Sequence, residues 1–534
     1  MNTPAKQSVQ RSPGRWLSRL GLLIFIIVVL GPLLALLAET IPALAEGNSS
    51  WLLLALPSGR RLSLLANSVG LACSVAAGDI GLGVLGGLVL WRWDKGRLSR
   101  LRWLVLIAAP VPAYIQALAW TSVAGSLNSF GLNLLPSQGF AAAWWIELMA
   151  YAPLSVGLTL LGLKSLEPAF VDSARVVRSD FTALRNIILP LAAPAILAGG
   201  GVLFILSLLD YSVPSLVNFN VYSLEIFAEY SSSNEPVRAF LLSLPVMAVA
   251  VTVLVLVLSA LRNAASSPSW HATVWKTGPV FPSWLKAAQW LGIGFLSLQF
   301  VVPVILVFET ASLSNLTSNI LSARNEIWYS LWLDTAVSLI CIPLALATAR
   351  LLVKSTRRST ALWITVAAPL AIPPALTGIG LISIWNRPMA VDVYGSALMP
   401  VLAGAARFAP LAVIIMVAQF RSIDPQLIEA ARVFQKNSWQ TLRYVWLPMF
   451  IPGLTAAFGV VFALTLGELG ATLLVAPPGH STLTIRIYNL LHYGASGTVA
   501  GLCLVMLAAV VLAAAGAAAA MSRWSNLNQP AGER

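Results

Sequence analysis

Twelve apolar runs, each long enough to cross a bilayer, decide what this chain can fold into. They lie near 20–38, 64–90, 103–124, 138–163, 190–217, 238–261, 288–309, 329–353, 362–385, 397–420, 448–475 and 496–521. At about 1.5 Å per residue, a helix of roughly twenty residues covers the hydrocarbon layer. No water is available there, so each run must satisfy its own backbone N–H and C=O groups, and a helix is the expected form. The expected class is an all-α polytopic membrane protein of about twelve transmembrane helices. Composition agrees: 58% of the 534 residues are hydrophobic and 10% charged, with a mean hydropathy of +0.82, which does not suit a soluble domain. Lys6, Arg11, Arg15 and Arg19 precede the first run as in a signal peptide, but no small-residue cleavage site follows closely, so that run is read as a span.

The net charge of +13 does not point to nucleic acid, because the basic residues sit in short clusters between apolar runs instead of on one face. Placing the N-terminus in the cytoplasm puts 26 of the 33 Lys and Arg on that side, as the positive-inside rule requires. Both termini then face the cytoplasm. Cys73, Cys341 and Cys503 each lie within an apolar run, and His271, His480 and His492 form no cluster, so neither a metal site nor thiol chemistry is expected. The glycines 78, 81, 83, 86 and 87 fall inside a span with no Lys-Ser/Thr after them, which fits close helix packing and not phosphate binding. No other ATP-binding motif occurs, and no catalytic constellation is present.

The two halves of the chain repeat one another in parallel orientation. Ala152-Pro153-Leu154 recurs as Ala409-Pro410-Leu411, Ala174-Arg175-Val176 as Ala431-Arg432-Val433, and Pro190 and Pro194 as Pro448 and Pro452, with Asp210 opposite Glu468. This divides the chain into a first half over 1–261, a polar cytoplasmic linker over 262–286 and a second half over 287–534. Each half carries one polar segment between spans, at 167–180 and 424–437, and both face the cytoplasm. Glu167-Pro168 and Asp424-Pro425 read as helix starts, with an acidic cap and a proline where no donor is needed. Phe170, Ala174 and Val177, and likewise Leu427, Ala431 and Phe434, fall at i, i+4 and i+7, giving each helix one apolar stripe. Asp180 and Ser438 are placed to cap a second short helix leading to Leu189-Pro190 and Leu447-Pro448.

At these residues the chain resembles the permease subunits of binding-protein-dependent ABC importers, whose signature is Glu-Ala-Ala, a glycine four positions later and a following Leu-Pro. Glu429-Ala430-Ala431 with Leu447-Pro448 carries the resemblance, and Asp172-Ser173-Ala174 is its altered first copy. The resemblance covers nearly the whole chain and is similar to fused permeases of ferric-iron and thiamine importers. It implies a type I importer fold and two coupling helices, at about 167–180 and 424–437, docking on two ATP-binding cassette subunits. It also implies an extracytoplasmic solute-binding protein and a place in the bacterial inner membrane. The permease itself would be no enzyme and hold no cofactor, since ATP binds the partner subunits. Gln435 stands where the signature has glycine, and the first copy has Arg178 there or a deletion. A left-handed residue at that turn would cost a non-glycine about 1–2 kcal/mol.

Asp79, Glu147, Asp210 and Glu468 lie within apolar runs. A buried charge must meet a partner, water or the bundle interior. Asp210 and Glu468 recur at one position, so they either line the path or gate, or brace a helix. Asp79 and Glu147 lack that repetition and fit structural pairing. The outer segment 218–237, with Tyr222, Glu225, Glu229, Tyr230 and Glu235, is either a binding-protein contact or a solvated loop. An ion-gradient-driven secondary transporter is the rival class, with buried carboxylates as ion sites, but it has no use for a duplicated cytoplasmic helix. The fused-permease resemblance alone puts ferric iron first among cargoes, ahead of thiamine, phosphonate and polyamine.

Overall fold

A computed structural model describes residues 13–527 apart from 93–104, 106–107, 110, 178, 265–280, 312–315, 355–358, 424–425, 427–437 and 493–495. Among the described residues all regular structure is helical. The first part of the chain forms α1 (Pro13–Ala45), α2 (Arg60–Arg92), α3 (Ala113–Ser129), α4 (Gly139–Lys164), the short α5 (Pro168–Val177) and α6 (Asp180–Ala183), α7 (Leu189–Leu209), α8 (Ser212–Leu216), α9 (Tyr222–Ser233) and α10 (Pro236–Ala264). The second part forms α11 (Ser283–Thr310), α12 (Leu316–Ser322), α13 (Arg324–Lys354), α14 (Ser359–Ala367), α15 (Pro374–Trp385), α16 (Val391–Tyr394), α17 (Leu398–Ser422), α18 (Ser438–Thr441), α19 (Leu447–Leu466), α20 (Thr472–Val475), α21 (Leu483–His492) and α22 (Ser496–Leu527).

Ten of these described segments are long and apolar enough to cross a membrane, and α14 with α15 makes an eleventh if that bent pair is one span. The pair turns by 99°. Its cause is local: Ile372 is extended (φ −91°, ψ 125°) before Pro373 and Pro374, where proline disfavours a helical predecessor and supplies no N–H. The run expected over 103–124 lies partly outside the described residues, and its described part is α3.

Polarity is inverted relative to a soluble protein. On α11 the exposed side chains include Trp290, Leu291, Leu298, Val301, Ile305 and Phe308, whereas Gln289 and Gln299 are buried. That stripe is one helix face offered to lipid. The buried Gln116 of α3 donates Nε2–H to the Gln299 backbone carbonyl at 3.1 Å, tying α3 to α11.

The first helix of each part packs on the other part. Phe25 and Leu36 of α1 are fully buried in one core with Val337, Cys341 and Ala345 of α13 and Ile379 of α15. At Gly380 a Cβ would stand 2.3 Å from the Pro32 carbonyl oxygen, so only glycine permits this approach. In return α11 lies against α2 and α3, with Phe295 edge-on to Trp145 of α4. Between α2 and α4 the glycine run behaves as its spacing suggests: a Cβ on Gly87 would meet the Thr159 methyl at 2.8 Å.

Certain local structures occur twice. Leu184–Ile188 and Leu442–Trp446 are both single π-turns, each running directly into a Leu-Pro. A proline second in the helix clashes with the carbonyl four residues back, and the wider π-turn relieves that clash. Farther along, Ser68 of α2 accepts the N–H of Tyr222, the first residue of α9, at 2.8 Å. Ser330 of α13 does the same for Leu483, the first residue of α21, also at 2.8 Å. Each serine satisfies an N–H that its own helix cannot.

Candidate functional site

The first candidate is the surface helix α5 with α6. Val171 (2% exposed) packs in one core with Leu163, Leu184 and Ile188, and Ala174 (6%) is buried as well, while Asp172 and Ser173 face out and Val176 is 87% exposed. The expected docking set therefore sits on two faces: Asp172 and Ser173 outward, Ala174 inward. Phe170 and Val177 belong to α5, but their side chains fall outside those described. The cap of α6 is Ser179 and not Asp180, since Ser179 Oγ accepts from Thr182 N at 3.4 Å. Asp180 instead receives Arg175 through Nε at 2.7 Å and Nη2 at 3.4 Å, a two-pronged pair that ties α5 to α6. A spacing of five residues matches no helical neighbour rule, so the pair cannot be read before the turn is known. The second-copy residues Leu427, Glu429, Ala430, Ala431 and Phe434 lie outside the described residues.

The second candidate is at the opposite end of the bundle, where α7 and α19 finish. Asp210 ends α7 in extended conformation, and its carboxylate accepts from Ser212 N (2.9 Å), Ser212 Oγ (2.7 Å) and Val213 N (3.4 Å), which starts α8. Glu468 acts alike after α19, accepting Ala471 N at 2.8 Å ahead of α20. Repetition of the acid thus goes with repetition of a chain break that exposes free N–H groups. Glu468 has a further partner, because Arg407 of α17 donates Nη1–H to the same Oε1. An unpaired guanidinium within a span costs at least about 2.5–3.5 kcal/mol, and Glu468, with a side chain 0% exposed, offsets it. The charge of Arg407 also acts on Tyr151, Asp210 and Tyr211. Further contacts join the two parts of the chain at this level: Ser215 Oγ lies 3.4 Å from Tyr488 Oη, and Tyr114 donates to Thr484 Oγ1 at 3.3 Å.

Of the other buried acids, Glu147 accepts from Ser207, whereas neither carboxyl oxygen of Asp79 has a hydrogen-bond partner among the described residues. Asp334 of α13, 1% exposed, is also buried; close to the start of its apolar run, it reads in sequence as an end-of-helix charge. The segment 218–237 is not a free acidic loop. Tyr222 and Tyr230 are buried, Glu225 pairs with Arg60 at 3.0 Å, and Glu229 pairs with Arg238 at 2.7 Å. Among the described residues no group of three or more His, Cys, Asp and Glu is placed to hold a metal ion.

Residues 341–523 match the family described as binding-protein-dependent transport system inner membrane component. Over 497 residues the chain is 25% identical to the Fe(3+)-transport system permease protein FbpB 2 of Haemophilus influenzae, covering 90% of this chain and 93% of that one. It is 29% identical over 204 residues to the molybdenum transport system permease protein ModB of Escherichia coli K12, covering 35% of this chain and 89% of the relative. An all-helical polytopic chain similar along its length to one such permease, with the family's own segment in its second part, is a multi-pass inner-membrane permease of the binding-protein-dependent ABC transport family, a transport component and not itself an enzyme.

Proposed function

We propose that the chain is a two-half importer permease, six spans over 1–261 and six over 287–534 joined by the linker 262–286, carrying ferric iron inward. The similarity along 90% of the chain to a ferric-iron permease carries this reading. The two-half arrangement is supported by the paired π-turns before Leu-Pro, the paired serine caps and the exchange of α1 and α11 between the parts. Both termini are cytoplasmic, following the distribution of Lys and Arg.

Two ATP-binding cassette subunits dock on the two coupling helices, and an extracytoplasmic binding protein delivers the cargo at the end where α7 and α19 finish. On the first copy the docking face is Asp172, Ser173 and Val176, with Ala174 supporting it from behind. On the second copy it is formed by Leu427, Glu429, Ala430, Ala431 and Phe434. An oxyanion is the second reading, supported by the molybdenum relative.

The test is uptake by the importer assembled with its ATPase and binding protein in proteoliposomes. Radio-iron should enter only with ATP and both partners. Uptake of molybdate, thiamine, a polyamine or 2-aminoethylphosphonate without iron would overturn the cargo. Uptake that follows an ion gradient and ignores the ATPase would overturn the mechanism.

A further inference from the structure

Every other described cation on a spanning helix stands within two turns of an end, but Arg407 is the tenth residue of α17. Its pairing with Glu468 explains how the fold tolerates it. The arrangement of the pair shows more: the Arg407 side chain is 25% exposed and the Glu468 side chain 0%. The cation stands in front and the acid behind it.

Arg407 acts on Tyr151, Asp210 and Tyr211, all on the first part. From Arg407 a row of half-buried positions, Leu411, Ile414 and Ile415, runs along one face of α17 at i+4, i+7 and i+8. The matching positions of α4, Leu154, Gly157 and Leu158, are half-buried as well, while Ala150 occupies the place of Arg407. One cation therefore heads an otherwise apolar pair of stripes.

The unused charged donors at this point are those of Arg407. Asp210 already accepts three donors from its own turn. Glu468 Oε1 accepts Arg407 and Ala471 N, while its Oε2 is buried behind the pair without a hydrogen-bond partner among the described residues. A guanidinium has five N–H donors, and Arg407 gives one of them to Glu468. Its Cζ also lies over the Phe408 ring, 5.3 Å from the centroid, a contact that uses none of the N–H donors. A bare cation arriving here meets positive charge first, whereas paired oxygens match the donor fork.

We propose that Arg407 holds the cargo through an anion: two oxygens of a carboxylate, phosphate or similar oxyanion, either the cargo itself or the ligand shell of a carried metal ion, dock on its guanidinium in the pathway. This rests on the permease reading above.

The test uses the assembled importer in proteoliposomes with its binding protein and ATPase. Because Arg407→Gln alone strands Glu468, the double variant R407Q/E468Q keeps the charge balance, and ATPase co-purification reports that the complex has formed. The probes are radio-iron with inorganic phosphate or citrate, radio-iron with neither, and labelled molybdate. Wild-type uptake should require the accompanying anion, and the double variant should lose at least about tenfold in initial rate, the size of one charge-assisted contact. Arg407→Lys, which keeps the charge without the fork, should fall between. Iron uptake that ignores the anion, or a double variant with wild-type rate and KM for every probe, overturns the proposal. Arg407-dependent uptake of molybdate with no entry of iron overturns the ferric reading and leaves this one standing.

Discussion

The ends of α7 and α19 solve the same problem with different groups. At both, the chain breaks out of a span and exposes N–H groups, and at both an acid accepts them. Asp210 is satisfied by its own turn, through Ser212 and Val213. Glu468 takes only Ala471 N from its own turn and uses the same oxygen for Arg407, 61 residues away. The acid therefore belongs to the architecture, while the ion pair belongs to one side only. Two equivalent positions in sequence do not carry equivalent roles.

The sharpest way to break that comparison is to remove the partner on one side and weaken the acid on the other. Arg407→Ala leaves a buried carboxylate unpaired and should cost about 3–5 kcal/mol. Asp210→Asn keeps one acceptor for the turn and should cost about 1 kcal/mol. Denaturant unfolding of the purified permease in detergent measures both. Equal losses would mean that Arg407 adds nothing to what the turn already supplies.

The two polar segments between spans offer a second comparison. On the first copy, Arg175 and Asp180 lock α5 to α6; the second copy has Arg432 but Ser438 in place of the acid. With Glu-Ala-Ala intact only in the second copy, Glu429→Lys should cut ATP-driven uptake at least about tenfold, near 1.4 kcal/mol of docking energy, and lower ATPase recovery. Asp172→Lys, at the rim of an altered motif, should cut uptake about threefold or less. Equal losses at the two positions would make the copies interchangeable.

Much of this was legible before any coordinates. Spans follow from hydropathy because the bilayer permits few alternatives, and Leu189-Pro190 and Leu447-Pro448 mark the helix entries because proline restricts the backbone on both sides of itself. The glycine run of α2 announced close packing, and Gly87 against Thr159 shows why. What could not be read depends on contacts between distant segments. Arg407 is visible as a charge in a span, but its partner is set by how α17 meets the end of α19. Which face of α5 is covered also escaped the periodicity: Val171, outside the Phe170, Ala174, Val177 stripe, is buried by Leu184 and Ile188, which the π-turn positions. The wrapping of α1 over the other part is a property of the whole assembly and leaves no local mark beyond Gly380.

The serine caps test whether the two parts are equally rigid. Ser68→Ala and Ser330→Ala each strand the first N–H of a helix, at Tyr222 and Leu483, and each should cost about 1–2 kcal/mol. Equal costs, together with faster amide exchange at Tyr222 or Leu483 in the matching variant, would support equivalent construction. A large cost on one side alone would show that one cap is redundant.

The smallest effect concerns the fourth residue of those same helices, where the charges are reversed. Glu225 of α9 meets Arg60 of α2, and Arg486 of α21 meets Glu326 of α13. Arg60 is 70% exposed and Glu225 22%, so water and salt screen the first pair and its contribution is about 0–1 kcal/mol. Arg486 and Glu326 are 27% and 20% exposed, and Arg486 also donates to the Ser322 carbonyl at 3.0 Å and to Ser322 Oγ at 3.2 Å. Reversing Arg60 to Glu should therefore be felt weakly and fade with added salt. Reversing Glu326 to Arg should cost more and respond less to salt. The exchange Arg60→Glu with Glu225→Arg, which gives the first part the polarity of the second, should recover the single variant's loss, because attraction between the positions does not depend on which side bears which sign. Unfolding midpoints at low and high salt read all three variants. A double variant less stable than Arg60→Glu alone would mean that the polarity, and not just the pairing, is needed at the rim of the first part.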